Sequence, residues 1–226
     1  MKDKRILFIG GIRGMGFAAA KIAHSLGAEV IIAGRDEPKS FDPVKKEFDG
    51  KVSYHLLNAS DLEDVRALLK NVAPISDIVV TATGSKLPAS SILKTPTPIA
   101  RQAIEGLWIA YNVVHLAKEY LQRTGSITLI SGSSAKTPGE TWGFWGISQG
   151  AINSLVRFSS LELAPIRVNA VSPGGIGARN PDWQLVEHHG TPEDVGQMMI
   201  ALISNPHVTG AIVDVDGGER QGHWNG

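Results

Sequence analysis

The stretch that most constrains the fold lies near the start of the chain. Arg5–Ile9 runs into Gly10-Gly11-Ile12-Arg13-Gly14-Met15-Gly16 and then, without a break, into Phe17-Ala18-Ala19-Ala20. A short run that is apolar from Ile6 to Ile9 fits a strand covered on both faces. The alanines fit a helix that packs close to a sheet. Glycine is needed between the two because the backbone turns sharply and a Cβ would hold other groups away. The helix N-terminus that follows carries unpaired N–H groups and positive potential, so this geometry cradles a pyrophosphate. A glycine cluster also serves as a plain sharp turn, but its place between strand and helix favours the cradle.

The same alternation continues along the chain. Strands are expected at Arg5–Ile9, Glu29–Ala33, Val52–Leu57, Asp77–Ala82, Ser126–Ser131, Arg167–Ser172 and Ala211–Val215. They are rich in Ile and Val and mostly lack a period of two. Helices are expected at Met15–Leu26, Asp61–Asn71, Pro98–Arg123, Gly143–Leu163 and Pro192–Ile203, with 38–49 a loop carrying a short helix. Ser60 stands as an N-cap before the acids Asp61, Glu63 and Asp64. Thr191-Pro192-Glu193-Asp194 places proline at the first helical position, with acids behind it. Strand and helix alternating in this way predict a single α/β domain. It is a doubly wound Rossmann fold, with a seven-stranded parallel sheet and helices on both faces.

Composition narrows the function classes. The 226 residues carry 22 Lys plus Arg against 22 Asp plus Glu, a balance that gives no reason to expect a nucleic-acid partner. The chain has no cysteine, which excludes disulfides and thiolate metal sites and suits a reducing compartment. The first apolar run is too short for a signal segment or a membrane span, so the expectation is a cytoplasmic protein without a membrane partner.

The end of the second strand distinguishes two nucleotides. An acid there accepts hydrogen bonds from a ribose 2′-hydroxyl and repels a 2′-phosphate. This strand ends Ala33-Gly34-Arg35, with Gly34 where the acid would stand. Arg35 and Arg13 carry guanidinium forks that match a phosphate, so NADP(H) is expected over NAD(H). Asp36 follows at once and opposes that reading, and two solvated surface arginines are the plainer alternative.

Three blocks carry a resemblance. Gly10-x-x-x-Gly14-x-Gly16, the run Leu161 to Gly174 (Leu-Glu-Leu-Ala-Pro-Ile-Arg-Val-Asn-Ala-Val-Ser-Pro-Gly) and Val208-Thr209-Gly210-Ala211 through Gly218 come in order. The chain resembles the short-chain dehydrogenase/reductase family over essentially its whole length. The resemblance implies a cofactor site built from Gly10, Ile12, Arg13, Gly14, Met15, Gly16, Gly34, Arg35, Asn58, Ala59, Ala82, Thr83, Gly84, Gln149, Pro173, Gly174 and Ile176. It also implies a homodimer or homotetramer formed through the helices at 98–123 and 143–163.

The catalytic positions depart from the pattern. In the family a tyrosine handles the proton, and a lysine four residues later lowers its pKa and binds the nicotinamide ribose. Here Ser148-Gln149-Gly150-Ala151 puts Gln149 at the lysine position and Trp145 at the tyrosine position. No tyrosine follows Tyr120 and no lysine follows Lys136. An indole N–H donates a hydrogen bond but is not a usable acid near neutral pH. The family's serine position falls on Gly132, between Ser131 and Ser133, either of which offers a hydroxyl for a substrate oxygen. The family's supporting asparagine falls on Gly106, beside Glu105. Ala178 replaces a threonine near the nicotinamide, and the lid region that follows is short. Trp142, Phe144 and Trp145 either line a pocket for a flat or apolar ligand or fill it. His188-His189 adjoin but point different ways on a regular element, with no cluster of acids around them, so no metal site is expected, and His115 with Glu119 reads as a solvated or interface face. Two functions follow: an NADP(H)-dependent oxidoreductase acting on a small carbonyl, imine or enone, or a catalytically silent dinucleotide-binding sensor or partner subunit.

Overall fold

The computed structural model describes residues 1–83, 91–177 and 184–221. Strands β1 (Arg5–Ile9), β2 (Glu29–Gly34), β3 (Val52–Leu56), β4 (Ile75–Val80), β5 (Leu121–Ile130), β6 (Arg167–Pro173) and β7 (Ile212–Val215) form one sheet in the order 3-2-1-4-5-6-7. Every neighbouring pair is parallel. Helices α1 (Gly14–Ser25), α2 (Asp42–Lys46), α3 (Leu62–Val72), α4 (Thr97–Ala103), α5 (Glu105–Tyr120), α6 (Gly143–Glu162) and α7 (Pro192–Ser204) connect them. The core divides into two clusters. One joins α3, α5 and α6 to the sheet through side chains such as Leu69, Val113 and Val156; the other joins α1 and α7 through Ala19, Ala23, Val195 and Met199. Both sheet faces are therefore buried, which is why the strands lack a period of two. The small residues of α1 let α7 approach closely: a Cβ at Gly196 would stand 2.8 Å from the Ala19 nitrogen.

Several element ends differ from the sequence expectation. The expected helix at 98–123 is two helices, broken at Ile104, which caps the end of α4 and the start of α5 with φ −95° and ψ 10°. The break falls where Gly106 packs on Thr83, with room for only 3.1 Å between a Cβ and that carbonyl oxygen. Residues 121–123 belong to β5, whose Leu121 pairs with Ile75, so β4 begins two residues earlier than expected and ends at Val80. The N-cap of α3 is Asp61 rather than Ser60: the Asp61 carboxylate accepts from the N–H groups of Glu63 and Asp64. Pro192 stands at the first position of α7 as expected, and Thr191 and Asp194 add a capping box.

Buried polar groups fasten the ends of the sheet. Asp77 accepts from Lys4 Nζ at 2.8 Å and from Ser126 Oγ at 2.5 Å. Arg167, drawn below the ordinary arginine pKa by burial, donates to the carbonyls of Leu202, Ile203 and Val208 at the C-terminal end of α7.

Candidate dinucleotide-binding site

The strand order reverses between β1 and β4, the point at which a parallel sheet of this kind takes a ligand in the crevice beyond the carboxyl ends of its strands. Gly10, at φ +96°, donates to the Ala33 carbonyl, and both Thr81 and Ala82 donate to the Ile9 carbonyl. A Cβ on Gly10 would lie 2.7 Å from the Ala82 nitrogen, and one on Gly16 would lie 2.6 Å from the Gly10 carbonyl oxygen. Gly14, at φ +58°, has nothing within 4 Å of a Cβ position and faces open space. Arg13, the N-cap of α1, makes no side-chain cap, and no acid lies in the first turn. Asp61 and the Thr191–Asp194 pair close the same end of α3 and α7. The start of α1 is therefore a ring of N–H donors left for an outside anion. The residues fit a bound pyrophosphate.

At the adenosine end, charges come in pairs. Arg13 Nη2 meets Asp36 Oδ1 at 2.6 Å, and Arg35 Nη1 meets Glu105 Oε1 at 3.3 Å. Ser60 Oγ donates to the same Glu105 oxygen at 2.7 Å. Asn112 Nδ2 donates to the carbonyls of Ala59 and Ser60, fixing that loop. Tyr54 donates its phenolic proton to the Gly34 and Asp36 carbonyls, and burial, with the nearby Asp36 charge, holds its pKa above the usual tyrosine value. Asn58, exposed, shares with Arg35 and Tyr54 the wall of a groove of about 870 Å³ between β3 and α3. Ala82 and Thr83 continue from β4 along the crevice, and Ile12 and Met15 pack half-buried against the α1 and α7 core. Gly84 lies outside the described residues, as does Ala178.

The loop after β6, which the resemblance assigns to the nicotinamide, is held by a residue that sequence reasoning passed over. Glu219 is buried; its Oε1 accepts from Ser133 Oγ at 3.3 Å and its Oε2 accepts from the Gly175 N–H at 2.8 Å. It thus ties the Pro173-Gly174-Gly175 loop, with Ile176 beyond it, to the turn after β5. Ser131 is also committed, donating to Asn153 Oδ1 at 2.6 Å. Neither expected serine hydroxyl is free for a substrate. Gly132 faces Gln149, whose Cγ lies 3.5 Å from the glycine's Cβ position, and Ser134 Oγ lies 3.8 Å from it. Ser134 thus adds a third hydroxyl close to the family's serine position, brought there by the tight turn after β5. Gln149 Oε1 is buried without a hydrogen-bond partner. An unmet acceptor there fits a donor such as a ribose hydroxyl.

Trp142 folds over Gly139, and Trp145 remains 41% exposed at the start of α6, so neither indole is buried in a core. His188 pairs with Asp194, His115 stacks on Tyr111, and Glu119 pairs with Arg66. Among the described residues no three His, Asp or Glu side chains form a metal-like group, and no helix is long and apolar enough to cross a membrane.

Fold and crevice together define a Rossmann-type dinucleotide-binding protein. The chain belongs to the short-chain dehydrogenase/reductase family: the family model described as enoyl-(acyl carrier protein) reductase matches residues 10–219. A short-chain dehydrogenase/reductase of Stachybotrys chlorohalonatus is 30% identical over 252 aligned positions, covering 96% of this chain and 97% of the relative. A 3alpha-hydroxysteroid dehydrogenase of Mediterraneibacter gnavus is 27% identical, covering 97% and 98%. Among solved structures, the MalC reductase/Diels-Alderase of Malbranchea aurantiaca superposes with a TM-score of 0.88 at 23% identity, covering 98% of this chain and 97% of that one. BdcA, solved with NADPH, superposes at 0.86 with 21% identity, covering 96% and 94%. Family membership makes this a dehydrogenase/reductase-type protein whose cofactor class is a nicotinamide dinucleotide.

Proposed function

We propose that this chain binds NADP(H) in preference to NAD(H) and transfers hydride between that cofactor and a small carbonyl, imine or enone. The observation that carries the coenzyme preference is the end of β2. No carboxylate stands at Gly34, where the Tyr54 hydroxyl is 3.6 Å from a Cβ position, and Arg35 and Arg13 flank the spot. The carboxylate that follows, on Asp36, is held by Arg13. Gly10, Gly14 and Gly16, with the N–H groups of α1, receive the pyrophosphate; Ile12 and Met15 flank it. Asn58, Ala59, Ala82 and Thr83, with Gly84, border the adenosine. Gln149 accepts from a nicotinamide-ribose hydroxyl, and Pro173, Gly174 and Ile176 back the ring. The bound dinucleotide supplies the hydride.

Protein acid is scarce at the reacting end. The Trp145 indole donates a hydrogen bond without releasing its proton, and Gln149 carries no charge. A substrate whose reduction needs no strong acid, such as an imine already protonated in solution or an activated enone, suits this arrangement. Calorimetry with NADPH and NADH, followed by NADPH consumption across carbonyl, imine and enone panels, tests the reading. Tight NADPH binding with no turnover of any substrate would leave the second function, a silent dinucleotide-binding sensor or partner subunit. The commitment of Ser131 and Ser133 to Asn153 and Glu219 favours that second function.

Exposed apolar side chains on α5 (Trp108, Tyr111) and α6 (Phe158, Leu161) favour assembly into a homodimer or homotetramer through these helices. Light scattering on the purified protein measures the state. A cytoplasmic site of action fits the cysteine-free composition.

A further inference from the structure

We propose that Glu105 sets how strongly the site prefers a 2′-phosphorylated dinucleotide, by occupying Arg35 until the phosphate displaces it; this rests on the NADP(H) reading above. Glu105 opens α5 and reaches across the adenosine end of the crevice. Its Oε1 meets Arg35, just beyond β2, at 3.3 Å and accepts from Ser60, before α3, at 2.7 Å. The next residue, Gly106, packs on the Thr83 carbonyl beyond β4. The segment after β2 and the segment before α3 therefore meet on one carboxylate, and the start of α5 that carries it is seated on the segment after β4.

The charges show what this does. Among the described residues Arg13 pairs with Asp36 and Arg35 with Glu105, so an arriving phosphate meets both guanidinium groups already engaged. Each pair involves a single guanidinium nitrogen; the Arg13 pair is short, at 2.6 Å, and the Arg35 pair is longer, at 3.3 Å. A phosphate carries close to two charges and takes a guanidinium through two parallel hydrogen bonds, so it outcompetes one distant carboxylate oxygen. Ser60 makes the exchange inexpensive. When Arg35 turns away, the Glu105 oxygen keeps its hydroxyl donor and is not stranded. Glu105 is thus a resident stand-in for the 2′-phosphate, and its charge is subtracted from the preference that Arg35 confers.

The test uses the two adenosine halves as probes, 2′,5′-ADP and 5′-AMP, titrated calorimetrically into the full chain. Glu105→Gln removes the charge and keeps an oxygen to accept from Ser60. The expected result is about two- to fivefold tighter 2′,5′-ADP, as for loss of one exposed ion pair. Binding of 5′-AMP should stay unchanged, and the gain should vanish when Arg35→Ala is added. Glu105→Asp retains the charge and should lack the gain. Glu105→Gln that leaves 2′,5′-ADP unchanged, weakens it, or shifts both probes equally would overturn the proposal while leaving the coenzyme reading intact. If instead the wild type binds both probes alike and Arg35→Ala costs neither, the coenzyme reading falls and takes this proposal with it.

Discussion

Replacing Gly16 by alanine should separate a cradle from a mere turn. The added Cβ would stand 2.6 Å from the Gly10 carbonyl oxygen and closer still to the Thr81 hydroxyl. Neither neighbour yields easily. Gly10 is pinned by its hydrogen bond to the Ala33 carbonyl at 2.8 Å, and the Thr81 hydroxyl donates to Gly10 O at 3.0 Å. Relief must therefore come from α1 moving outward. Forcing one carbon into a closed site costs about 2 kcal/mol, within the usual range for overpacking. For a chain of this length that is roughly a 4–8 °C fall in Tm. The same displacement carries the N–H groups of the first turn away from the phosphates, so NADPH should bind at least about tenfold more weakly. Gly150→Ala is the matched control. It lies inside α6 with nothing within 4 Å of the Cβ position, and alanine there should stabilise by about 0.5–1 kcal/mol through helix propensity. Thermal melts with and without NADPH report both effects. A Gly16→Ala protein that melts with the wild type, and gains the same protection from NADPH, would refute the cradle as described.

The double change Trp145→Tyr with Gln149→Lys restores a phenol and a cation where the family keeps them; the expected outcome is new NADPH-dependent carbonyl reduction, measured by absorbance at the nicotinamide band. No gain, with NADPH binding intact, would show that more of the cleft than these two residues has diverged. Arg167→Met removes hydrogen bonds to three carbonyls near the end of α7 and should cost about 2–4 kcal/mol, read as a lower denaturation midpoint in urea. The hydrogen bonds that Asp194 accepts from His188 and Thr191 hold its carboxyl below the usual carboxylate range. A depressed folded pKa stabilises above the unfolded value and loses that contribution as pH falls through the folded one. Asp194→Ala should thus cost about 1 kcal/mol at neutral pH, as for loss of a helix cap, and progressively less under acid. Melts from neutral to strongly acid pH check the convergence of the two proteins; a constant gap would refute it.

Sequence pattern located all seven strands because each is an apolar run bounded by a polar or glycine-rich turn. It missed ends where burial removes the markers. Ile75 to Ala82 is apolar or small apart from Ser76, Asp77 and Thr81, so nothing local says that the strand starts at Ile75; its pairing with Leu121 decides that. The break at Ile104 is equally silent, since the residues on either side suit a helix. It coincides with a tertiary contact between Gly106 and Thr83. Ser60 is as good a helix cap as Asp61 by residue type, and it is drawn off by Glu105, a partner 45 positions away.

The site divides along the same line. The phosphate cradle is written in seven consecutive residues, 10–16, and is legible as a word. The proposed loss of the proton-handling pair is legible in the same way, from Trp145 and Gln149 four residues apart in α6. Groups that join distant segments are not legible: Glu105 reaches Arg35 across 70 positions, and Glu219 reaches Ser133 across 86 and Gly175 across 44. Glu219 bears on how this chain diverged. Its two buried hydrogen bonds tie the nicotinamide-side loop to the turn after β5, and neither passes through Trp145 or Gln149. The shape of that end of the crevice is therefore maintained by anchors independent of the family's tyrosine and lysine. On the reading that Trp145 and Gln149 stand at those two positions, the change removes a proton donor without removing the wall behind it. If cofactor binding and turnover are separable here, the double change at 145 and 149 shows whether that wall is enough to support the second.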